Sequence, residues 1–158
     1  MTIEKNIIRR HVLIIRSRTS LEMLDATGRN QHFQPQVVLN MPVARNGEMD
    51  VIFFHIGRRL ADVELAKEYE DRYIKPLDPY TLLQINIEDP QFADDHPNGT
   101  IWKDERGRWC HAAFDVAWSN WGEIPHRRVH VLGPDISCGH WWSDRWVFAG
   151  VEKKFFPV

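Results

Sequence analysis

The chain predicts an α+β domain with a mostly antiparallel sheet built from hairpins and one main amphipathic helix over about 62–75. Three observations carry that expectation. In Asn98–Trp118, two apolar runs flank the polar turn Asp104-Glu105-Arg106-Gly107, which closes on glycine as a hairpin does. In Gln36–Ile56, Asn46-Gly47 supplies the two residues that a type I′ turn favours, because both central positions need positive φ. Between them, Leu60, Val63, Ala66, Tyr69 and Tyr73 recur at helical spacing.

Taken in order, Val12–Ile15 reads as a buried strand with basic flanks, and Thr19–Asp25 as a short helical turn capped by Thr19 or Ser20. Thr27–Gln34 reads as a polar loop. Gln36–Ile56 is expected as a hairpin, with Pro42 marking an edge strand because proline cannot donate to a ladder. The helix that follows starts at Asp62 and is stopped by Pro76. Tyr80–Ile87 combines an Asp78-Pro79 helix start with strand-like alternation, and helix is favoured. Glu88–Asn98 is an acidic loop. After the Asn98–Trp118 hairpin come a loop over Ser119–Pro125, a strand over Arg127–Leu132, a turn-rich loop over Gly133–Gly139, and a hairpin over Trp141–Val151 that turns at Ser143-Asp144.

The totals bound the function. At 158 residues the chain is expected to be one globular domain, 1–158, and its 43% apolar and 27% charged content is that of a folded protein rather than a disordered one. A formal charge of −2 argues against general electrostatic binding of nucleic acid. Two cysteines are too few for a disulfide framework. No apolar run approaches the length of a membrane span, and the start has no signal-peptide layout. A cytoplasmic protein that does not engage a membrane is expected.

All seven tryptophans, Trp102, Trp109, Trp118, Trp121, Trp141, Trp142 and Trp146, lie from residue 102 onward. Indoles this dense pack a sheet or form a recognition surface, and seven are hard to bury in one small sheet. A four-residue turn would pair Trp102 with Trp109 and Thr100 with His111. One face would then carry Thr100, Trp102, Trp109, His111 and Asp115, while Ile101, Cys110, Ala112 and Phe114 supply the core. A three-residue loop would slip that register and mix the faces. The candidate binding residues are Trp102, Trp109, His111, Arg108, Arg128, His130, Trp141 and Trp146. The function expected from them is binding of a macromolecular partner, either protein or single-stranded nucleic acid, without a cofactor.

Two other readings stand beside it. His111, His130 and Asp115 converging on one sheet face would supply a general acid and base, or metal ligands, for a hydrolase. Cys110-His111 and Cys138-Gly139-His140 suggest zinc by residue type, with Cys138 and His140 the candidate ligands, because Cys110 and His111 as strand neighbours point to opposite faces and rarely share one metal. Self-association through the Pro42 edge and the Phe155–Val158 tail would make the chain an assembly subunit or homo-oligomer. His55-Ile56-Gly57 resembles the start of a nucleotidylyl-transfer HIGH motif, but Arg58 stands where the second histidine belongs, so no such chemistry is assigned.

Overall fold

A computed structural model describes residues 7–118, 125–134 and 141–153. In chain order its elements are β1 (Ile7–Ile14), α1 (Ser20–Ala26), β2 (Asn30–Phe33), α2 (Pro35–Asn40), β3 (Gly47–His55), β4 (Leu60–Ala61), α3 (Asp62–Asp71), β5 (Ile74–Pro76), α4 (Pro79–Glu88), α5 (Phe92–Asp95), β6 (Asn98–Lys103), β7 (Trp109–Trp118), β8 (Pro125–Leu132), β9 (Trp141–Trp142) and β10 (Val147–Glu152). This is an α+β architecture. Among the described residues one sheet of eight strands runs β1-β3-β10-β6-β7-β8-β2, with β5 added on β10, and β4 and β9 form a separate pair. The sheet is mixed, because β10–β6 and β2–β8 are parallel and the other pairs are antiparallel.

Both faces of the sheet carry a core. One packs under α1, α2, α4 and α5 around Phe53, Leu82, Leu83, Trp102, Phe114 and Val131. The other packs under α3 and Trp142 around Phe54, Leu65, Tyr69, Ile101 and Phe148. Helix α4 is buried from Pro79 to Asn86. That all-round burial removes the apolar stripe by which a surface helix is read and explains its strand-like alternation. Its start is built as the sequence indicates, with Asp78 accepting from Thr81 N at 2.9 Å and Pro79 in the first turn. Helix α1 is capped by Thr19, whose hydroxyl accepts from Glu22 N while Glu22 accepts from Thr19 N.

Several expectations are corrected. Among the described residues there are five helices, not one main helix. The Gln36–Ile56 hairpin does not form: Pro35 opens α2, and Pro42 follows its end rather than lying in a strand. Asn46-Gly47 then leads into β3, whose partner is the distant β1, with Ile14 opposite Gly47. Strand β1 is an edge strand, so Val12 and Ile14 are buried while Leu13 and Ile15 are exposed. Residues 30–33, expected as loop, form β2 beside β8. Helix α3 ends at Asp71, four residues early, because Tyr73 takes φ 56° and β5 begins at Ile74. The hairpin expected over Trp141–Val151 is also absent. Trp141 and Trp142 pair with Ala61 and Leu60, and β10 becomes a central strand. The loops over 119–124 and 135–140 and the Phe155–Val158 tail lie outside the described residues.

The sheet changes partners at one place. Strand β6 pairs with β10 only through Asn98 and Gly99, and beyond them β10 turns to β5 through Gly150, Val151 and Glu152. Close approach at two glycines allows this. A Cβ on Gly99 would lie 2.5 Å from the Trp142 ring, and one on Gly150 would lie 2.3 Å from Ile74. Buried polar bonds fix the junction: Asn86 and Asn98 exchange amide hydrogen bonds of 2.8 and 3.1 Å, and the Thr100 hydroxyl donates to Leu77 O at 2.7 Å. Replacing Gly99 by alanine is expected to cost about 1–3 kcal/mol through overpacking against Trp142, seen as a thermal midpoint lowered by about 2–4 °C per kcal/mol. An unchanged midpoint would mean that Trp142 can move aside freely.

Candidate functional site

The β6–β7 turn decides which side chains meet. Asp104 N donates to Arg108 O at 2.8 Å and Gly107 N to Asp104 O at 3.0 Å, leaving the three-residue loop Glu105-Arg106-Gly107 with Gly107 at φ 73°. Asp104 Oδ1 accepts from the backbone N–H of both Arg106 and Arg108. The register therefore differs by one residue from the four-residue turn: Trp102 opposes Cys110, Ile101 opposes His111 and Lys103 opposes Trp109. Because side chains alternate, that slip moves Thr100 and Trp102 to the face of Cys110, Ala112 and Phe114. Ile101 moves to the face of Trp109, His111 and Asp115.

The single tryptophan face expected from the sequence is thereby corrected. Trp102 is 9% exposed in the first core and Trp142 is fully buried in the second. Trp109 and Trp146 are half-buried at the margin of the second core, and Trp118 is exposed. The side chain of Trp141 lies outside the described set, as do Trp121, Cys138 and His140. On the second face the rings form a row across the strands. Tyr69 meets Phe54 at 5.0 Å, Phe54 meets Phe148 at 5.9 Å, Phe148 meets Trp142 at 5.3 Å, and Trp142 meets His111 at 5.6 Å.

Toward β2 this face turns polar. Asp115 and Arg128 oppose one another across β7 and β8 and make a bidentate pair, at 2.9 and 2.6 Å. His130 Nε2 lies 3.7 Å from Asp115 Oδ1, and its ring stacks on exposed His32 at 4.9 Å. Burial works against ionising Asp115, but the hydrogen bonds from His130 and Arg128 outweigh it and hold the carboxyl at about 2. His111, His130 and Asp115 thus share a face. However, His111 is 4% exposed beneath Trp142, and Arg128 occupies both oxygens of Asp115. Among the described residues no three His, Cys, Asp or Glu side chains form a group that could hold a metal ion. His55 donates from Nε2 to Asp144 O at 2.6 Å, which ties the end of β3 to the turn before β10.

The concave site lies where β6 parts from β10. A cleft of about 490 Å³ opens there, lined by Trp102, Trp109, Ile101 and Lys103 on one side and by Lys75, Pro76, Leu77 and Asp78 on the other, with Pro42, Met49 and Val151 completing it. That volume is in the range of ligand-binding clefts. The Lys103 ammonium sits 5.0 Å from the centre of the Trp109 ring. A second depression of about 410 Å³ shares Pro42, Trp102 and Lys103 with the first and adds Arg106, Arg108 and Cys110 from the hairpin and Gln36, Val37 and Asn40 from α2. The structure thus gathers Trp102, Trp109 and Arg108 of the expected binding residues around one hairpin. Arg128 and His130 lie on the polar patch near β2, and Trp146 lies against Trp142. Lys75, Met49, Leu77 and Val151 belong to the cleft but carry no local signal of it. Only the sheet's change of partner brings them to the hairpin.

The fully buried Trp142 donates from Nε1 to Asp62 Oδ1 at 2.7 Å. Burial raises the Asp62 carboxyl from 3.8 to about 6, and the Trp142 hydrogen bond offsets only part of that. The folded state therefore keeps this proton to higher pH than the unfolded chain. The stabilisation it brings is complete below the unfolded value of 3.8 and is lost as pH rises through about 6. Asp62→Asn keeps an oxygen for Trp142 without the charge. It is expected to be more stable than the native chain by about 1 kcal/mol at about pH 8, with the advantage shrinking toward about pH 4 in urea unfolding measured across that range. A constant difference would remove burial of the charge as its cause. Compared with family models, with curated proteins and with solved structures, the chain matches none.

Proposed function

We propose that this chain is a binding protein that engages a macromolecular partner through the tryptophan-lined cleft between β5 and β6 and the β6–β7 hairpin tip beside it. The observation that carries this reading is the cleft itself, in which Trp102 and Trp109 from opposite faces of the sheet wall one apolar opening. Concave apolar sites with a few polar groups at the mouth are the usual place for an anchor side chain. Around it Lys103, Arg106 and Arg108 stand exposed on a short, well-bonded turn. A rigid tip of this kind loses little conformational entropy on binding.

Between the two classes of partner, a protein segment is favoured. A nucleic-acid groove needs a strong basic excess and open indole faces for bases. Here the net charge is −2, Trp102 is nearly buried, and Lys103 covers Trp109. A cytoplasmic setting fits the buried Cys110 thiol, which is in no disulfide. No helix among the described residues is long and apolar enough to cross a membrane. The hydrolase reading has less behind it, since His111 is covered and Asp115 is committed to Arg128.

Peptide-array selection followed by titration tests the reading. Trp109→Ala is expected to weaken the selected segments about tenfold or more, about 1.4 kcal/mol. Arg128→Ala, remote on the polar patch, is expected to leave binding unchanged. Equal affinity in the Trp109 variant, or loss only in the Arg128 variant, would move the site away from the cleft.

A further inference from the structure

Resting on the cleft as the binding site, the charges around it point to the chemistry of what enters. We infer that the cleft takes an acidic peptide segment, one that inserts an aromatic or aliphatic side chain between Trp102 and Trp109 and sets carboxylates against Lys75 and Lys103.

The argument is one of charge complementarity. Lys75 and Lys103 stand exposed on the two lips of the cleft, one leaving β5 and the other ending β6. Neither makes an ion pair with a carboxylate among the described residues, whereas the arginines near the hairpin and on the sheet mostly do. Of the acids near the cleft, Asp78 and Asp104 are held by hydrogen bonds inside the fold, and Glu105 stands exposed at the hairpin tip. Both oxygens of Asp78 take hydrogen bonds from Thr81 at the start of α4. Asp104 takes the backbone N–H of Arg106 and Arg108 and the Arg108 guanidinium, and those bonds hold its carboxyl below the ordinary range. The mouth therefore presents two cations, Lys75 and Lys103, against one carboxylate, Asp78, whose oxygens are turned into the start of α4. Between them the lining is apolar, with Pro42, Met49, Leu77 and Val151. An anion alone would leave that lining to water, and an apolar side chain alone would leave both ammonium groups without a carboxylate. A segment that carries both satisfies both.

Isothermal titration and amide-resolved NMR with three capped pentapeptides test this, alternating phenylalanine with glutamate, with glutamine or with lysine. The glutamate peptide is expected to shift the Trp102 and Trp109 indole resonances and the Lys103 amide. It is expected to bind about threefold to tenfold tighter than the glutamine peptide, as two exposed ion pairs allow, and that margin should close as salt rises from about 50 to about 500 mM. Lys75→Gln combined with Lys103→Gln, both at exposed positions, is expected to erase the margin while the thermal midpoint holds. Glutamate and glutamine peptides binding equally at these resonances would overturn the acidic-segment inference and leave the cleft as a binding site. Tighter binding of the lysine peptide would overturn it as well. If no peptide moves the Trp102 and Trp109 resonances, the inference and the cleft reading fall together. If oligothymidylate alone moves them, the protein partner is replaced by single-stranded nucleic acid.

Discussion

The contact on which this structure depends is the Trp142 ring lying on the backbone of Gly99. Strand β6 can enter the sheet beside β10 only where it has no side chain on that face, because a Cβ on Gly99 would meet the ring at 2.5 Å and the Ala112 carbonyl at 3.0 Å. The opposing residue, Ala113, is also small and fully packed. A large indole and two minimal residues thus fill one volume, which is the close packing that protein interiors require. Trp142 is held there from the opposite side by Asp62 at the start of α3, so the same ring fixes the helix over the sheet. β4 and β9 pair through two residues each, and the indole with its hydrogen bond ties that layer down beside the buried Leu65 and Tyr69 of α3.

From that junction the cleft follows as a matter of strand geometry. Sheets twist, and two strands that pair for only two residues diverge beyond the pair unless something fills the gap. Here β5 takes the place beside β10 as far as Pro76, and Leu77 N adds one last bond to Ala149 O at 3.1 Å. The chain then turns into α4, whose first turn is capped by Asp78. The space between the end of β5 and the upper half of β6 is left to side chains alone. The Thr100 hydroxyl on Leu77 O closes its lower end, and the Asn86–Asn98 amide pair keeps α4 from sliding into it. Both are buried polar contacts, where loss of one partner costs about 1–3 kcal/mol and so enforces a particular geometry. A cleft bounded this way is formed by the fold itself.

Local chemistry was the legible part of the sequence. The Thr19 cap, the Asp78-Pro79 helix start, the turn of φ 73° at Gly107 and the presence of a strand at 127–132 are all written within a few residues of where they act. What could not be read were the partnerships between distant segments. Asn46-Gly47 is a strong turn signal, but Pro35 and Pro42 on its N-terminal side favour a helix followed by a loop, and β3 found β1 instead. Nothing near residues 30–33 announces that they lie beside 128–131. The tryptophan face failed for a narrower reason. One residue of loop length separates a turn that groups Trp102 with Trp109 from one that places them on opposite faces, and the Asp104 side chain selects the latter by capping two amides of the loop.

That one-residue difference is also what makes the two indoles useful together. Side by side on one face, Trp102 and Trp109 would pack against each other, and the sheet would present a flat aromatic patch. On opposite faces near the strand's free end, they approach the same opening from its two sides, because beyond Gly99 no strand of the described sheet separates them there from β5. Each ring then has one part in a core and one edge at the cleft, as 9% exposure for Trp102 and a half-buried Trp109 indicate. The core contact fixes the ring and removes its rotational freedom, so an entering side chain meets walls whose ordering cost was met on folding. On the proposed reading, packing and recognition are therefore not alternatives for these tryptophans. The part of each ring that builds the fold is what holds the remaining part at the cleft.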